Sequence, residues 1–176
     1  MFPATARRLI AGAVTVTGLL SLTLTANGAD PAVADGRAAA TVLSCIGQID
    51  MNVVDTPGGT ATGRGKLVCA EPGRPDLAAA IVISGSVTGG GARVTETRTS
   101  DTISFETGKE SHLTMDRRFE RSSDEIKGDA GSAGNGRVDS GEFAGAAARD
   151  KGVGSFVIGA TGTTYSMDRL TLTLDR

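Results

Sequence analysis

The chain has no tryptophan, one tyrosine, one histidine, two cysteines and few aromatics of any kind. Each shortage excludes something. With one histidine, His112, a His-centred metal cluster has no ligands and a serine-protease triad has one possible base. With Phe105, Phe119, Phe143, Phe156 and Tyr165 as the only aromatics beyond the first 34 residues, there is no stacking platform for single-stranded nucleic acid or sugars. Long charge runs are missing, and so is any long apolar run after about residue 24. What is plentiful is glycine, 25 residues in 176, scattered between short apolar and threonine-rich stretches.

The N-terminus carries Arg7 and Arg8, an apolar run over 9–24, and small residues leading to Ala32-Val33-Ala34. That is the layout of a secretory signal peptide, with cleavage expected after Ala34, or else after Ala29. Arg7-Arg8 lacks the flanking residues of twin-arginine export. Residues 42–45 resemble a lipoprotein box but stand far beyond the apolar run. The expected organisation is a signal peptide over 1–34 and one domain over 35–176, secreted, with no membrane span in the mature chain. Removing Arg7, Arg8 and Asp30 leaves 16 basic and 19 acidic side chains, a net charge of −3 that repels nucleic-acid phosphates.

Residues 41–53 alternate with period two: Leu43, Cys45, Ile49, Met51 and Val53 on one side, Ser44, Gln48, Asp50 and Asn52 on the other. Asp55-Thr56-Pro57-Gly58-Gly59 turns the chain, and 60–70 return with Ala61, Leu67 and Cys69 on one face. Both cysteines point inward, so an exported chain is expected to join Cys45 to Cys69, closing a loop worth about 3 kcal/mol.

Further strands are expected over 77–87, with Ile81, Val82 and Ile83 at the centre, over 93–99 as a charged edge strand, and around Ile103 and Phe105. In the next strand Leu113, Met115, Arg117 and Phe119 share one face, opposite His112, Thr114, Asp116 and Arg118. Residues 122–136, rich in Ser, Asp and Gly, read as the longest exposed loop and the place for ligand or partner contact. Residues 137–145 and 153–160 read as strands, and 142–150 as the one helix candidate. The last strand, 163–175, changes parity near Asp168-Arg169, which predicts a β-bulge. The fold expected is all-β: a single antiparallel sandwich or flattened barrel of eight or nine strands, behind a signal-peptide helix.

The segments Leu43-Ser44-Cys45-Ile46-Gly47, Gly65-Lys66-Leu67-Val68-Cys69 and Gly136-Arg137-Val138-Asp139-Ser140-Gly141-Glu142-Phe143-Ala144-Gly145 make the mature chain resemble small secreted actinobacterial β-sandwich proteins of uncharacterised function. That resemblance implies export and an all-β fold, and it assigns no catalytic residue.

Three constellations could carry chemistry. Residues 135–143 resemble the second half of an EF-hand loop, but its first two ligand positions fall on Gly131 and Ala133, leaving Asp129, Asp139 and Glu142 as a looser calcium set. Asp139-Ser140-Gly141 echoes a protease nucleophile, with His112 as sole base. Cys45, Cys69 and His112 are too few for structural zinc. The mixed-sign run 116–121 reads as a solvated strand face. No catalytic, metal or cofactor residue is therefore assigned. The expected function is a monomeric, non-catalytic extracellular binding or cell-envelope module. The alternative is a small secreted hydrolase, or a protease inhibitor presenting the proline-containing loop 71–76.

Overall fold

A computed structural model describes residues 39–176; the signal-peptide expectation for 1–34 lies outside them. Eight antiparallel strands follow one another: β1 (Thr41–Val53), β2 (Thr60–Ala70), β3 (Leu77–Gly91), β4 (Val94–Phe105), β5 (Glu110–Arg121), β6 (Lys127–Gly141), β7 (Ala147–Gly159) and β8 (Gly162–Asp175). Each pairs with the next, and β8 pairs with β1, so the sheet closes as a meander barrel. The all-β expectation holds, and of its two architectures the barrel is the one found, with eight strands. Closure satisfies the backbone groups that a sandwich would leave open at its edges.

Period-two alternation sends one face of each strand inside. Leu43, Cys45, Ile49, Met51 and Val53 of β1 are buried against Ala61, Leu67 and Cys69 of β2, as the sequence predicts. Cys45 and Cys69 are register partners, with sulfurs 2.11 Å apart. Eight strands give an interior that side chains can fill. Here Phe119 and Tyr165 stack at 4.7 Å, and Ile81, Ile83, Ile103, Leu113 and Met167 are buried in the same interior. The bulge expected near Asp168-Arg169 is present: Gly47 pairs Leu170 and Ile49 pairs Met167, leaving Gln48 opposite both bulged residues.

Four local expectations are corrected. Residues 122–136 are not a long loop; only 122–126 turn, and the rest belongs to β6. The buried positions of β6 before Val138 are Ala130, Ser132 and Gly134, too small to register as an apolar period. They are small because neighbours already fill the space: a Cβ on Gly134 would stand 2.4 Å from Asp150 Oδ1 and 2.9 Å from Arg117 Cγ. Residues 93–99 are not an edge, since β4 pairs with both β3 and β5 and buries Thr95, Thr97 and Thr99. Gly89-Gly90-Gly91 does not end its strand; β3 absorbs it with a register shift between Val87 and Gly89. The helix expected over 142–150 is a turn followed by β7, in which Ala148 and Asp150 face inward. Alanine's helix propensity is weak beside two flanking strands that need a partner.

Candidate functional site

Two polar clusters lie within the barrel. In the first, the side chain of Arg117 is 1% exposed and donates from Nη2 to Asp101 Oδ2 and from Nε to Asp150 Oδ2, each at 2.5 Å. Its Nη1 donates to Thr99 Oγ1 at 2.9 Å, and Thr99 donates to Asp101 Oδ1 at 2.7 Å. Burial opposes the guanidinium's charge, but the two carboxylates outweigh it and hold the arginine above its usual range. Burial pushes Asp150 up, against Arg117 and with Asp101. Two carboxylates and one guanidinium sum to one negative charge, and Asp150 Oδ1 has no hydrogen-bond partner among the described residues. This cluster corrects the reading of 116–121 as a solvated face, because Arg117 and Phe119 are core residues. Its charged side chains are at most 1% exposed, so it organises the core.

The second cluster forms one mouth of the barrel. The 54–59 turn folds over and bonds to β3, Gly58 N–H to Val87 O at 2.9 Å and Val87 N–H to Gly59 O at 2.7 Å. That carries Asp55 across the opening. Thr95 Oγ1 of β4 donates to Asp55 Oδ1 at 2.8 Å, and the Thr163 hydroxyl of β8 donates to Oδ2. Because Thr95 spends its hydrogen on Asp55, it accepts from the Tyr165 hydroxyl 3.1 Å away. Burial raises the Tyr165 phenol; the Thr95 bond lowers it, Asp55 raises it, and Arg121 lowers it. Arg121, at the end of β5, donates from Nη2 to Ala92 O and lies over the Phe156 ring, 5.6 Å from its centroid. Its Nε is buried without a partner among the described residues.

Asp55 and Arg121 line a pocket of about 240 Å³ together with Thr95, Val87 and the glycines at 89–91. Although opposite in sign and in one pocket, they form no ion pair with each other or with another described residue. A larger groove of about 580 Å³ lies open on the outside of the sheet at the β8 bulge, where Ile46 and Val68 are 63% and 48% exposed.

The constellations considered from sequence do not assemble. Asp129 and Asp139 are ten residues apart on β6, about 33 Å at strand rise; Asp139 is taken by Thr114 and Arg137, and Glu142 by Lys109. His112 and Ser140 are ladder partners on the outer face. However, His112 Nδ1 meets Thr102 Oγ1 at 3.2 Å and Nε2 faces Glu110 at 3.8 Å, so no base is aimed at Ser140. The cysteine sulfurs are inside the barrel and bonded to each other, while His112 faces out. The 71–76 loop is exposed and braced by Arg74 on Glu71 at 2.9 Å. Neither Asp55 nor Arg121 stood out in the sequence. Asp55 read as a turn residue, and its only further signal is the run of threonines at inward positions that need an acceptor.

No family model matches the chain, and no curated protein or solved structure matches it.

Proposed function

We propose that this chain is exported, loses residues 1–34, and acts outside the cell as a monomeric, non-catalytic binding module that takes its ligand at the Asp55–Arg121 mouth. The observation carrying this is the pair of opposite, mutually unpaired charges held in one pocket. Asp55 is exposed and Arg121 partly exposed, so both charges can be reached from solvent. Rigid strands support both of them, Asp55 through β4 and β8 and Arg121 from β5, which favours binding over chemistry. The outward residues Asp50, Arg64, Lys66, Arg98, Asp116 and Arg118 lie in the middle of their strands and favour water over lipid around the barrel. The paired cysteines fit an oxidising compartment.

The test is a nitrogen-15 NMR titration of the purified protein with the small-molecule fraction of spent culture medium. Saturable shifts confined to residues 55–59, 87–95 and 121 are expected. Shifts centred elsewhere, or hydrolysis of ester, peptide or glycoside substrates by the pure protein, would overturn the reading.

The inhibitor reading keeps one observation in its favour, the exposed, ion-paired 71–76 loop with Pro72 and Pro75. Inhibition of a trypsin-like or subtilisin-like protease that disappears in Arg74→Ala would favour it.

A further inference from the structure

Resting on the mouth as the binding site, we infer that its ligand is a small zwitterion, an ammonium and a carboxylate on one molecule, of which a free amino acid is the simplest case.

The charge balance of the pocket carries this. Each Asp55 oxygen accepts one hydroxyl hydrogen, which uses two of about four lone-pair positions and leaves the rest for a donor. An ammonium is the donor that also answers the negative charge. Arg121 spends one N–H on Ala92 O and buries its Nε without a partner, so donors remain for a carboxylate, whose paired oxygens fit a guanidinium edge. A simple anion at Arg121 meets Asp55 in the same pocket, and a simple cation at Asp55 meets Arg121. Like charges brought together this way cost affinity, whereas a molecule bearing both signs meets complementary groups at each end.

The hydroxyl chain makes the carboxylate a fixed receptor. Tyr165 donates to Thr95 and Thr95 donates to Asp55, so rotation of Asp55 breaks bonds made to β4 and β8. The glycine wall points the same way. Gly90 is required by the fold, with φ +149° and a would-be Cβ 2.2 Å from Val94 O. Gly91 is not, since a Cβ there would meet no atom within 4 Å, and at Gly89 it would meet only the Glu96 carboxylate at 3.0 Å. Gly90 is the register partner of inward-facing Thr95, so the pocket wall at that point is bare backbone. A volume of about 240 Å³ suits one small molecule.

The experiment is nitrogen-15 NMR titration of the purified protein with pooled amino acids, with acetate, and with methylammonium, each at millimolar concentration. At least one amino acid should move the Gly89, Gly91, Thr95 and Arg121 amides saturably, with acetate and methylammonium at least about tenfold weaker, a gap of about 1.4 kcal/mol. Arg121→Gln should weaken that binding about tenfold or more, and Gly91→Leu should block it while leaving the remaining spectrum in place. Asp55→Asn should do the same, and Arg121→Gln stands in if its hydroxyl partners prove necessary for folding. Acetate or methylammonium binding as tightly as any amino acid would overturn the zwitterion while leaving the mouth as a site. Culture-medium shifts at the mouth with none from amino acids would do likewise. No shift at the mouth from any probe would remove both.

Discussion

Replacing Arg117 with methionine removes the only cation of the interior cluster and keeps a side chain of similar length. Two ion pairs at 2.5 Å, with all three side chains at most 1% exposed, lose their positive partner. Breaking a buried pair from one side costs about 3–5 kcal/mol because the remaining charge is left uncompensated. Two carboxylates are stranded here, so the upper part of that range applies at pH 7, against a total stability of about 5–15 kcal/mol for a domain. With a urea slope of about 2 kcal/mol/M, the unfolding midpoint should fall by about 2 M. Far-UV circular dichroism is the suitable probe, since the chain has no tryptophan. The loss should shrink as pH falls, because burial raises the Asp150 carboxyl and it ceases to need the guanidinium once it takes a proton. The triple variant Arg117→Met, Asp101→Leu, Asp150→Leu should recover most of the loss, because an apolar replacement of a whole buried network is often neutral or better. A single Arg117→Met variant that costs under about 1 kcal/mol at pH 7 would refute the reasoning and mean that water reaches the cluster.

Asp150→Asn should be milder than Asp101→Asn in the same urea assay at pH 7, since burial already disfavours the charged form of Asp150. The folded-state pKa of Asp150 is raised, so its favourable contribution is full below the unfolded value near 4 and is lost as pH rises through the folded value; Asp150→Asn should flatten stability across that window. Gly134→Ala should destabilise by about 1–3 kcal/mol in thermal or urea unfolding, because its Cβ would crowd Asp150 Oδ1 and Arg117 Cγ. Cys45→Ala should cost about 2–5 kcal/mol, and thiol titration of the unfolded native protein should find no free cysteine.

Inside-outside parity was legible wherever the inward residues are large. Leu43 to Val53 of β1 and Leu113 to Phe119 of β5 declare their faces, and the same parity put Arg117 inside even though its charged neighbours argued for solvent. Parity failed where large side chains on one strand require small ones on the next. Ser132 and Gly134 are the receiving side of Phe119, Arg117 and Asp150, and such complementarity between strands leaves no period in a single one. The threonines at 95, 97 and 99 fit an edge strand as well as an interior one, because threonine suits both faces of a strand. Only closure of the sheet shows that they line the inside. The mouth was hidden for a further reason: Asp55, Thr95, Arg121 and Thr163 come from four separate places in the chain, and no local pattern links them.

An even number of strands returns the chain to the side it started from. Ala40 and Arg176 exchange backbone hydrogen bonds at 2.7 and 2.9 Å, at the end of the barrel opposite Asp55. A domain joined after Arg176 therefore leaves the barrel at that end, like a stem below a cup. A tag or fused domain at Arg176 leaves the rim clear. Ala40 and Arg176 are also close enough to be linked directly, so that new ends could be opened elsewhere without crossing the sheet.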